Sequence, residues 1–239
     1  MKQIENQLSD LRLHGMSQSW TALITAKKHH ELSFSQGLEL LLQAEIDDRK
    51  NKRFDRLKKN AHFRYQASIE EVYTETSRGA SPELVNTLAS GMYLQNGESI
   101  LITGASGCGK SFMASALGHH ACAQGKKVMY FNVQKLLLKA KMARAEGTVI
   151  KFFDRLSKMD LIIIDDFGLT YLDQQQRMDL MEIIEDRHGQ KAIIIASQLP
   201  VENWYDVIGE ATIADAILDR LVHSSYRVEL KGESLRKKR

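Results

Sequence analysis

A glycine-rich stretch near the middle of the chain has the residue types that hold a polyphosphate. Residues 104–111 read GASGCGKS and satisfy the pattern G-x-x-x-x-G-K-[ST] at every fixed position. These residues are Gly104, Ala105, Ser106, Gly107, Cys108, Gly109, Lys110 and Ser111. Glycines let the backbone curl so that successive N–H groups face an anion, and a following helix start adds partial positive charge. The stretch predicts a phosphate-binding loop, with Lys110 on the β- and γ-phosphates and the Ser111 hydroxyl on Mg²⁺.

The residues on either side of this stretch are those that a phosphate-binding loop requires. A short apolar run at 99–103 precedes it, and a helical pattern at 112–117 follows it. Strand, loop and helix is the context in which the motif binds phosphate. The alternative is a chance match, which at about 7% glycine arises at only about 1 in 30,000 start positions. We therefore predict that the chain binds a nucleotide.

An acidic pair follows a second apolar run. Residues 160–166 read DLIIIDD, and a continuous apolar run of this length is typical of a buried parallel strand. Since the carboxyl ends of such strands face the ligand crevice, we expect Asp165 to bind Mg²⁺ together with Ser111. Asp166 is the candidate to polarise the attacking water. A helix-capping role for Asp165 is the weaker alternative, because residues 167–169 intervene before the next helical pattern.

A third apolar run also ends in polar residues. Residues 192–198 read AIIIASQ, which predicts another buried strand of the same sheet. Ser197 or Gln198 is expected to reach the γ-phosphate or to hold the attacking water. A hydrogen bond within the loop is an equal alternative for both side chains.

Arg220 lies near the end of a predicted helix at 211–222. One interpretation is a surface ion pair with Asp219 or another acid. The other is an arginine finger, which must act on a neighbouring subunit if its own nucleotide site is too far away. The sequence leaves both interpretations open.

A basic stretch lies on the N-terminal side of the phosphate-binding loop. Between residues 49 and 64 there is one acid, Asp55, among eight basic residues: Arg49, Lys50, Lys52, Arg53, Arg56, Lys58, Lys59 and Arg64. A solvated helix face is one interpretation. We favour a surface that follows the phosphates of DNA without reading bases, because almost no acids dilute the charge. The expected DNA contacts are Lys50, Lys52, Arg53, Arg56, Lys58 and Lys59.

Composition excludes several classes of protein. The 239 residues carry a net charge of +3, and no apolar run approaches the roughly 18 residues of a membrane span. The N-terminus lacks a secretory core, so we expect a cytoplasmic protein without a membrane partner. The two cysteines, Cys108 and Cys122, make no disulfide framework. The histidine pairs at 29–30 and 119–120 do not have the spacing of a zinc site.

Apolar periodicity divides the chain into two predicted domains. Residues 8–60 show helical spacing, interrupted at Gly15 and at 33–37, where Ser33 or Ser35 is a candidate helix cap. Strands alternate with helices from residue 99 onwards. We therefore predict a small all-helical N-terminal domain, residues 1–66, followed by an α/β domain, residues 67–239. The latter is expected to have a central parallel sheet between two helical layers.

The order of these motifs resembles the AAA+ ATPases. The glycine-rich loop, the acidic pair followed by Gly168, the Ser197–Gln198 strand end and the Asp219–Arg220 pair are similar to the branch that contains IstB and DnaC. Two N-terminal segments, Arg12–Met16 and Phe63–Ser68, specifically resemble IstB, the helper ATPase of bacterial insertion sequences. The resemblance spans nearly the whole chain.

The resemblance implies a function and assigns roles. Such helpers hydrolyse ATP, assemble as homo-oligomers on duplex DNA, and present it to a partner transposase that they stimulate. By position, residues 104–111 would hold ATP, Ser111 and Asp165 would hold Mg²⁺, Ser197 and Gln198 would be sensors, and Arg220 would reach a neighbour's γ-phosphate.

Two features depart from the usual AAA+ pattern. Most AAA+ proteins have glutamate at the position of Asp166, which is one methylene shorter. Few residues follow the last predicted strand, so no full helical lid domain is expected, and Arg236 is the candidate for the arginine that such a lid carries.

Two other functions are compatible with a phosphate-binding loop. A DnaC-like helicase loader would use its N-terminal helices to grip a helicase, and its core motifs are nearly the same. A small-molecule kinase would need a lid with arginines and a substrate pocket, whereas this chain offers two adjacent acids and an isolated Arg220. The basic N-terminal stretch favours the transposition helper.

Overall fold

The computed structural model describes residues 2–235. They form two compact units, 2–56 and 57–235. The basic C-terminal residues 236–239, including Arg236, lie outside the described residues. Within the described range, no helix has both the length and the apolar character needed to cross a membrane.

The first unit is helical, as predicted. Its elements are α1 (Lys2–Asp10), α2 (His14–Thr25), a 3₁₀ turn (Lys28–His30) and α3 (Phe34–Ala61). The last residues of α3 belong to the second unit. Ser33 caps α3 through a reciprocal pair of bonds: its hydroxyl accepts from the Gln36 N–H (3.3 Å), and its own N–H donates to the Gln36 side chain (2.9 Å). The prediction of a cap at Ser33 is confirmed.

Gly15 does not interrupt a helix, which corrects the expectation from sequence. It lies inside α2, and the chain breaks earlier, at residues 11–13. A Cβ atom at Gly15 would lie only 2.3 Å from the Ala44 carbonyl oxygen of α3. Glycine therefore lets α2 and α3 approach closely, and the Met16 N–H donates to the Glu45 carboxylate (3.2 Å) at the same contact.

The second unit is built on one sheet of five parallel strands in the order β2-β3-β4-β1-β5. The strands are β1 (Ser99–Gly104), β2 (Val128–Asn132), β3 (Leu161–Phe167), β4 (Ala192–Ser197) and β5 (Ser225–Leu230). The flanking helices are α4 (Pro82–Ala89), α5 (Met92–Asn96), α6 (Lys110–Ala123), α7 (Val133–Ala145), α8 (Val149–Ser157), α9 (Gln174–Glu185), α10 (Trp204–Ile208) and α11 (Ala211–Val222). This is the predicted α/β class, and the three-layer AAA+ architecture is confirmed.

The sheet positions the functional segments because its strands are parallel. The apolar residues 162–164 of β3 and 194–195 of β4 are fully buried, as expected for strands covered on both faces. The carboxyl ends of β1, β3 and β4 therefore share one edge of the sheet. That edge brings the loop 104–109, the Asp165–Asp166 pair and Gln198 into one region.

Two short helices follow Ser81. Ser81 caps α4 by accepting from the Leu84 N–H (3.2 Å), and Pro82 is the first residue of α4. Gly91 then adopts a left-handed conformation (φ 76°) and begins α5. Met92 consequently belongs to α5 and does not continue α4.

Residues 57–66 belong to the second unit, whereas the boundary predicted near residue 66 assigned them to the first. The physical reason is aromatic packing. The Phe63 ring stacks on His119 of α6 (4.2 Å between centroids) and meets Tyr130 of β2 edge-on (6.4 Å). A ring nitrogen of His119 also bonds with the Tyr65 carbonyl (3.2 Å). These contacts lie far apart in sequence, so local patterns did not reveal them.

Removing the Trp204 side chain should strongly destabilise the second unit. The residue is fully buried, its indole N–H donates to the Leu199 carbonyl (3.1 Å), and its ring packs against Phe167 (4.8 Å). We expect Trp204→Ala to lower the free energy of unfolding by about 3–5 kcal/mol in urea titrations. The matched control is Tyr205→Ala on the same helix, whose side chain is exposed, with an expected change within about 0.5 kcal/mol. Equal losses in the two variants would contradict this assignment.

Candidate functional site

A cavity of about 320 Å³ lies in the second unit at the carboxyl edge of the sheet. This volume is in the range of small-molecule sites. Its polar wall includes residues 106–111, Arg64, Asp166 and Gln198. The cavity therefore brings together predicted residues from three strand ends, and adds Arg64.

The glycines of the loop are required by its backbone and its neighbours. Gly104, Gly107 and Gly109 all have positive φ angles, 141°, 88° and 102°, which side chains disfavour. A Cβ atom at Gly104 would lie 2.1 Å from the Leu230 carbonyl oxygen, and one at Gly107 would lie 2.2 Å from the Ser234 hydroxyl. Only glycine fits at either position without movement of the chain.

Lys110 and Ser111 begin α6 and line the cavity. The partial positive charge of a helix start therefore faces the cavity, where it favours an anion. The Lys110 ammonium group is folded back over the loop and donates to the Ala105 carbonyl (2.8 Å). A polyphosphate in the loop would offer this ammonium group a charged acceptor in place of a neutral one.

The Asp165 carboxylate is buried and accepts hydrogen bonds at both of its oxygens. The residue is only 1% exposed. One carboxylate oxygen accepts from the Asp166 N–H (2.9 Å), and the other accepts from the Tyr130 hydroxyl and from Arg64 Nη1 (3.1 Å). A buried carboxylate needs such hydrogen-bond partners. Three donors therefore fix the Asp165 side chain at the end of β3.

Asp166 follows on an irregular piece of strand. The β3–β4 register shifts between Ile164 and Phe167, and Asp166 itself is left-handed (φ 58°). Its carboxylate accepts from Arg64 Nη1 (2.9 Å) and from the Asn132 side-chain amide (2.9 Å). The turn therefore gives the two adjacent carboxylates a common cationic partner and lets Asp166 line the cavity.

The charges at this strand end influence one another. Burial raises the pKa of the Tyr130 hydroxyl above its ordinary value, and the nearby Asp165 charge raises it further. Tyr130 therefore stays protonated and donates. Partial burial of Arg64 lowers its pKa, but the hydrogen bond to Asp165 and the charge of Asp166 outweigh that effect, so the pKa is raised overall. Arg64 is a permanent cation here.

The residues at this edge fit Mg²⁺. Ser111 and Asp165 supply a hydroxyl and a carboxylate, which are hard oxygen ligands. The acidic pair already attracts a cation, since Arg64 contacts both carboxylates. Residues 2–235 hold no cluster of three or more His, Cys, Asp or Glu side chains that could hold a metal ion. A magnesium ion that shares its ligands with phosphates and water needs only one or two protein side chains.

Ser197 and Gln198 differ in their surroundings. The Ser197 hydroxyl is fully buried, donates to the Phe167 carbonyl (2.8 Å) and accepts from the Leu199 N–H (3.0 Å). This is the loop hydrogen bond that the sequence offered as an alternative. Gln198 lines the cavity. Gln198 therefore lies where a bound ligand would meet it, while the Ser197 hydroxyl joins β3 to the loop after β4.

The cavity also has an apolar wall, which sequence analysis missed. It includes Val72, Tyr73, Ala80, Met113, Leu230 and Leu235. Hydrogen bonds join its distant parts: the Lys231 N–H donates to the Arg78 carbonyl (2.9 Å), and the Leu235 N–H donates to the Gly107 carbonyl (3.0 Å). The Cys108 thiol donates to the Gly232 carbonyl (3.2 Å). No local pattern links residues 72–80 to 230–235, so the sequence offered no signal for this wall.

Comparison with known protein families identifies the chain. The model of the IstB-like ATP binding protein family matches residues 6–239. The chain belongs to this family. An insertion-sequence ATP-binding protein of Sinorhizobium fredii is 40% identical over 97% of this chain and 95% of its own length. A similar protein of the insertion sequence IS21 from Pseudomonas aeruginosa is 26% identical over 100% of this chain and 90% of its own length.

Solved structures share the fold of this IstB-like protein. The DnaC helicase loader superposes with a TM-score of 0.57 at 18% identity, covering 70% of this chain and 98% of that one. DnaI gives a TM-score of 0.60 at 16% identity, covering 70% and 92%. DnaA from Aquifex aeolicus, bound to AMPPCP, gives 0.60 at 19% identity, covering 73% and 53%. At these identities the likeness concerns the fold alone.

Arg220 of the IstB-like protein lies away from the cavity. It pairs with Glu185 and donates to the Ala216 carbonyl (2.9 Å). With Ser99 it lines a separate cavity at the amino end of β1, whereas the phosphate-binding loop follows the carboxyl end of β1. The two ends are separated by five residue steps of strand, roughly 17 Å. The structure does not bring Arg220 to the nucleotide-binding loop of its own chain.

The predicted DNA contacts of the IstB-like protein all lie on α3. Five are exposed and Lys58 is half-buried. The exposed residues are Lys50, Lys52, Arg53, Arg56 and Lys59. Within the same helix, Lys52 pairs with Asp48 (2.7 Å), and Arg49 pairs with Glu45 (2.7 Å). Arg64 lies outside α3 and contacts the acidic pair, so it is not part of this basic segment of α3.

Substitution of the two neighbouring polar residues should separate their roles. Ser197→Ala leaves the buried Phe167 carbonyl and the partly buried Leu199 N–H without their partner. We therefore expect a loss of about 1–3 kcal/mol in the free energy of unfolding. Gln198→Ala should change that free energy by less than about 0.5 kcal/mol. Urea denaturation of both variants measures the difference. A Ser197→Ala variant as stable as the parent protein would show that the two loop hydrogen bonds contribute little.

Proposed function

We propose that this protein is an ATP-dependent helper of DNA transposition. It assembles on duplex DNA, presents that DNA to a partner transposase, and stimulates the transposase. The observation that carries the proposal is the cavity: a phosphate-binding loop, Asp166 of the acidic pair and Gln198 meet in it. The chain is matched along nearly its whole length by an insertion-sequence ATP-binding protein. The membership of the IstB-like family supports the same conclusion.

ATP fits the two halves of the cavity. Its triphosphate would lie in residues 104–111, where the loop N–H groups and the start of α6 favour negative charge. Lys110 would turn from the Ala105 carbonyl to the β- and γ-phosphates. The base and ribose would lie against the apolar wall, where Tyr73 and Leu235 offer flat and aliphatic contacts.

Hydrolysis needs a positioned water and charge neutralisation. Ser111 and Asp165 would hold Mg²⁺, which supplies positive charge to the phosphates when it is bound. Asp166 would orient the water and accept its proton, and Asn132 fixes the direction of that carboxylate. Gln198 would contact the γ-phosphate or the water. The shorter side chain of Asp166 relative to glutamate is expected to make hydrolysis slow.

Arg220 would complete the site of a neighbouring subunit. Its position at the amino end of the sheet supports this role, because a finger that acts in trans must lie away from its own nucleotide. Its partner Glu185 is more than half exposed, so the pair can open at modest cost. A γ-phosphate offers the guanidinium a stronger bidentate partner. Assembly would therefore depend on ATP.

The basic segment of α3 would bind the phosphates of duplex DNA. Several cations follow one another along one helix, and each neutralised phosphate releases counterions. Such contacts carry no sequence information. The protein is therefore expected to accept many target sequences.

A DnaC-like helicase loader is the second candidate. The observation that favours it is an apolar stripe on α3, formed by Leu38, Leu42 and Ile46, which are between 41% and 49% exposed. Their four-residue spacing puts them on one face of the helix, and such a face can dock a protein. In the transposition helper the protein docked there would be the transposase. A preference for single-stranded DNA, or DNA binding only with a helicase present, would favour the loader.

Two substitutions should separate ATP binding from hydrolysis. Lys110→Ala removes a charged donor to the phosphates, so we expect about 10- to 100-fold weaker binding of a fluorescent ATP analogue. Asp166→Asn should bind the analogue normally but release phosphate about 100-fold more slowly or worse, because the water loses its base. Asp154→Asn, an exposed carboxylate of α8, is the control. If Asp166→Asn hydrolysed ATP at the normal rate, Asp166 would not be the base that activates the water.

Complexes on DNA test the assembly. We expect large complexes on duplex DNA with a non-hydrolysable ATP analogue, and smaller ones with ADP or no nucleotide, by light scattering. Replacing Lys50, Lys52, Arg53 and Arg56 with alanine should weaken binding and reduce its salt slope by up to about one unit per lost contact. The control variant removes the same charge from exposed positions elsewhere: Lys28, Lys127, Lys158 and Arg227. Equal effects in the two variants would show that the basic residues of α3 are solvated and make no specific contribution to DNA binding.

A further inference from the structure

Arg64 contacts both carboxylates of the acidic pair, and the proposed binding and hydrolysis of ATP do not require this contact. It lies three residues after the end of α3, within the second unit. A single guanidinium nitrogen, Nη1, lies 3.1 Å from an Asp165 oxygen and 2.9 Å from an Asp166 oxygen. The partners are more than 100 residues apart in sequence. The contact therefore depends on the tertiary fold and is specific to this strand end.

Both Asp165 oxygens already accept hydrogen bonds where a metal ion would bind. One oxygen accepts from a backbone N–H within the turn, and the other is shared by Tyr130 and Arg64. The backbone donor is fixed, and the Tyr130 hydroxyl is buried with the carboxylate. The Arg64 side chain is 40% exposed, compared with 2% for Asp165. Arg64 is thus the partner that can leave most easily.

The positive charge of Arg64 also opposes binding of a metal ion at Asp165. Arg64 supplies one positive charge to the two adjacent carboxylates, and a guanidinium group remains cationic in proteins. A divalent ion at Asp165 would meet the guanidinium within a few ångströms, where two cations repel each other strongly. Arg64 and Mg²⁺ consequently compete for the same carboxylate.

The segment around Arg64 permits such a movement. Phe63 is anchored on His119, and the Tyr65 carbonyl bonds with a His119 ring nitrogen, so the backbone on both sides is held. The Arg64 guanidinium lies over the Tyr65 ring (5.7 Å) and lines the cavity with Lys110 and Ser111. The long side chain can therefore turn into the cavity while the backbone stays in place.

We propose that Arg64 is a positioning residue that exchanges with the metal. Without nucleotide it holds Asp165 and Asp166 and keeps divalent cations from binding there. When a metal–triphosphate complex enters, Arg64 leaves Asp165 and turns towards the phosphates, which offer it a new anionic partner. The acidic pair therefore accepts its metal together with the triphosphate and not before it. This inference rests on the proposed ATP site, but the competition for Asp165 can be measured without nucleotide.

Manganese binding to the nucleotide-free protein tests the competition. Mn²⁺ takes the same oxygen ligands as Mg²⁺, and its free concentration is read directly by electron paramagnetic resonance. We expect Arg64→Gln to bind Mn²⁺ at least about fivefold more tightly than the parent protein. Arg64→Lys should show a smaller gain in Mn²⁺ affinity, because the ammonium group keeps the positive charge. If Arg64→Gln does not fold, Arg64→Lys is the variant that tests the competition. Arg227→Gln, which removes an exposed positive charge from β5, should leave Mn²⁺ affinity within about twofold.

A double variant identifies the carboxylate. Adding Asp165→Asn to Arg64→Gln should abolish the gain in Mn²⁺ affinity, since the competing group and its target are then both absent. Unchanged Mn²⁺ affinity in Arg64→Gln and Arg64→Lys, both folded by circular dichroism, would overturn the inference, as would a gain that survives Asp165→Asn. Binding of a fluorescent ATP analogue is followed in parallel. Its absence from the parent protein would overturn the ATP site, while the Mn²⁺ result would still decide whether Arg64 competes for Asp165.

Discussion

A carboxylate buried at the end of a parallel strand must be given hydrogen bonds, and much of the second unit is arranged to provide them. Asp165 receives donors from its own turn, from β2 through Tyr130, and from the segment after α3 through Arg64. Each donor comes from a different part of the chain. The position of the acidic pair therefore depends on the strand register, on the Phe63–His119 stacking and on the turn at Asp166 together.

The parts of the structure that could be predicted are those with local signals. Residues 104–111 combine a strand, a glycine loop and a helix start in consecutive residues, and buried strands such as 162–164 appear as continuous apolar runs. The cap at Ser33 followed from one side chain and its spacing. The order of these motifs was enough to predict the fold and to bring three strand ends to one edge.

The missed features depend on distant contacts. The apolar wall joins residues near 72–80 to others near 230–235, and its hydrogen bonds are largely made by the backbone, which carries no sequence signature. Arg64 was counted with a basic stretch because its neighbours in sequence are basic, but its partners are two carboxylates of β3. The position of Tyr130 was easier to predict from the sequence than that of Arg64. Tyr130 lies near the end of a strand that is adjacent to β3 in the parallel sheet.

The left-handed backbone at Asp166 limits the residues that evolution can place there. Aspartate and asparagine adopt this conformation far more readily than residues with long side chains. A mutation to glutamate, the usual AAA+ residue, would lengthen the carboxylate but would also have to stabilise the turn that directs it. A lineage that acquired a longer acid at this position would have to rebuild the end of β3 in the same steps. The backbone conformation thus favours the retention of a short acid.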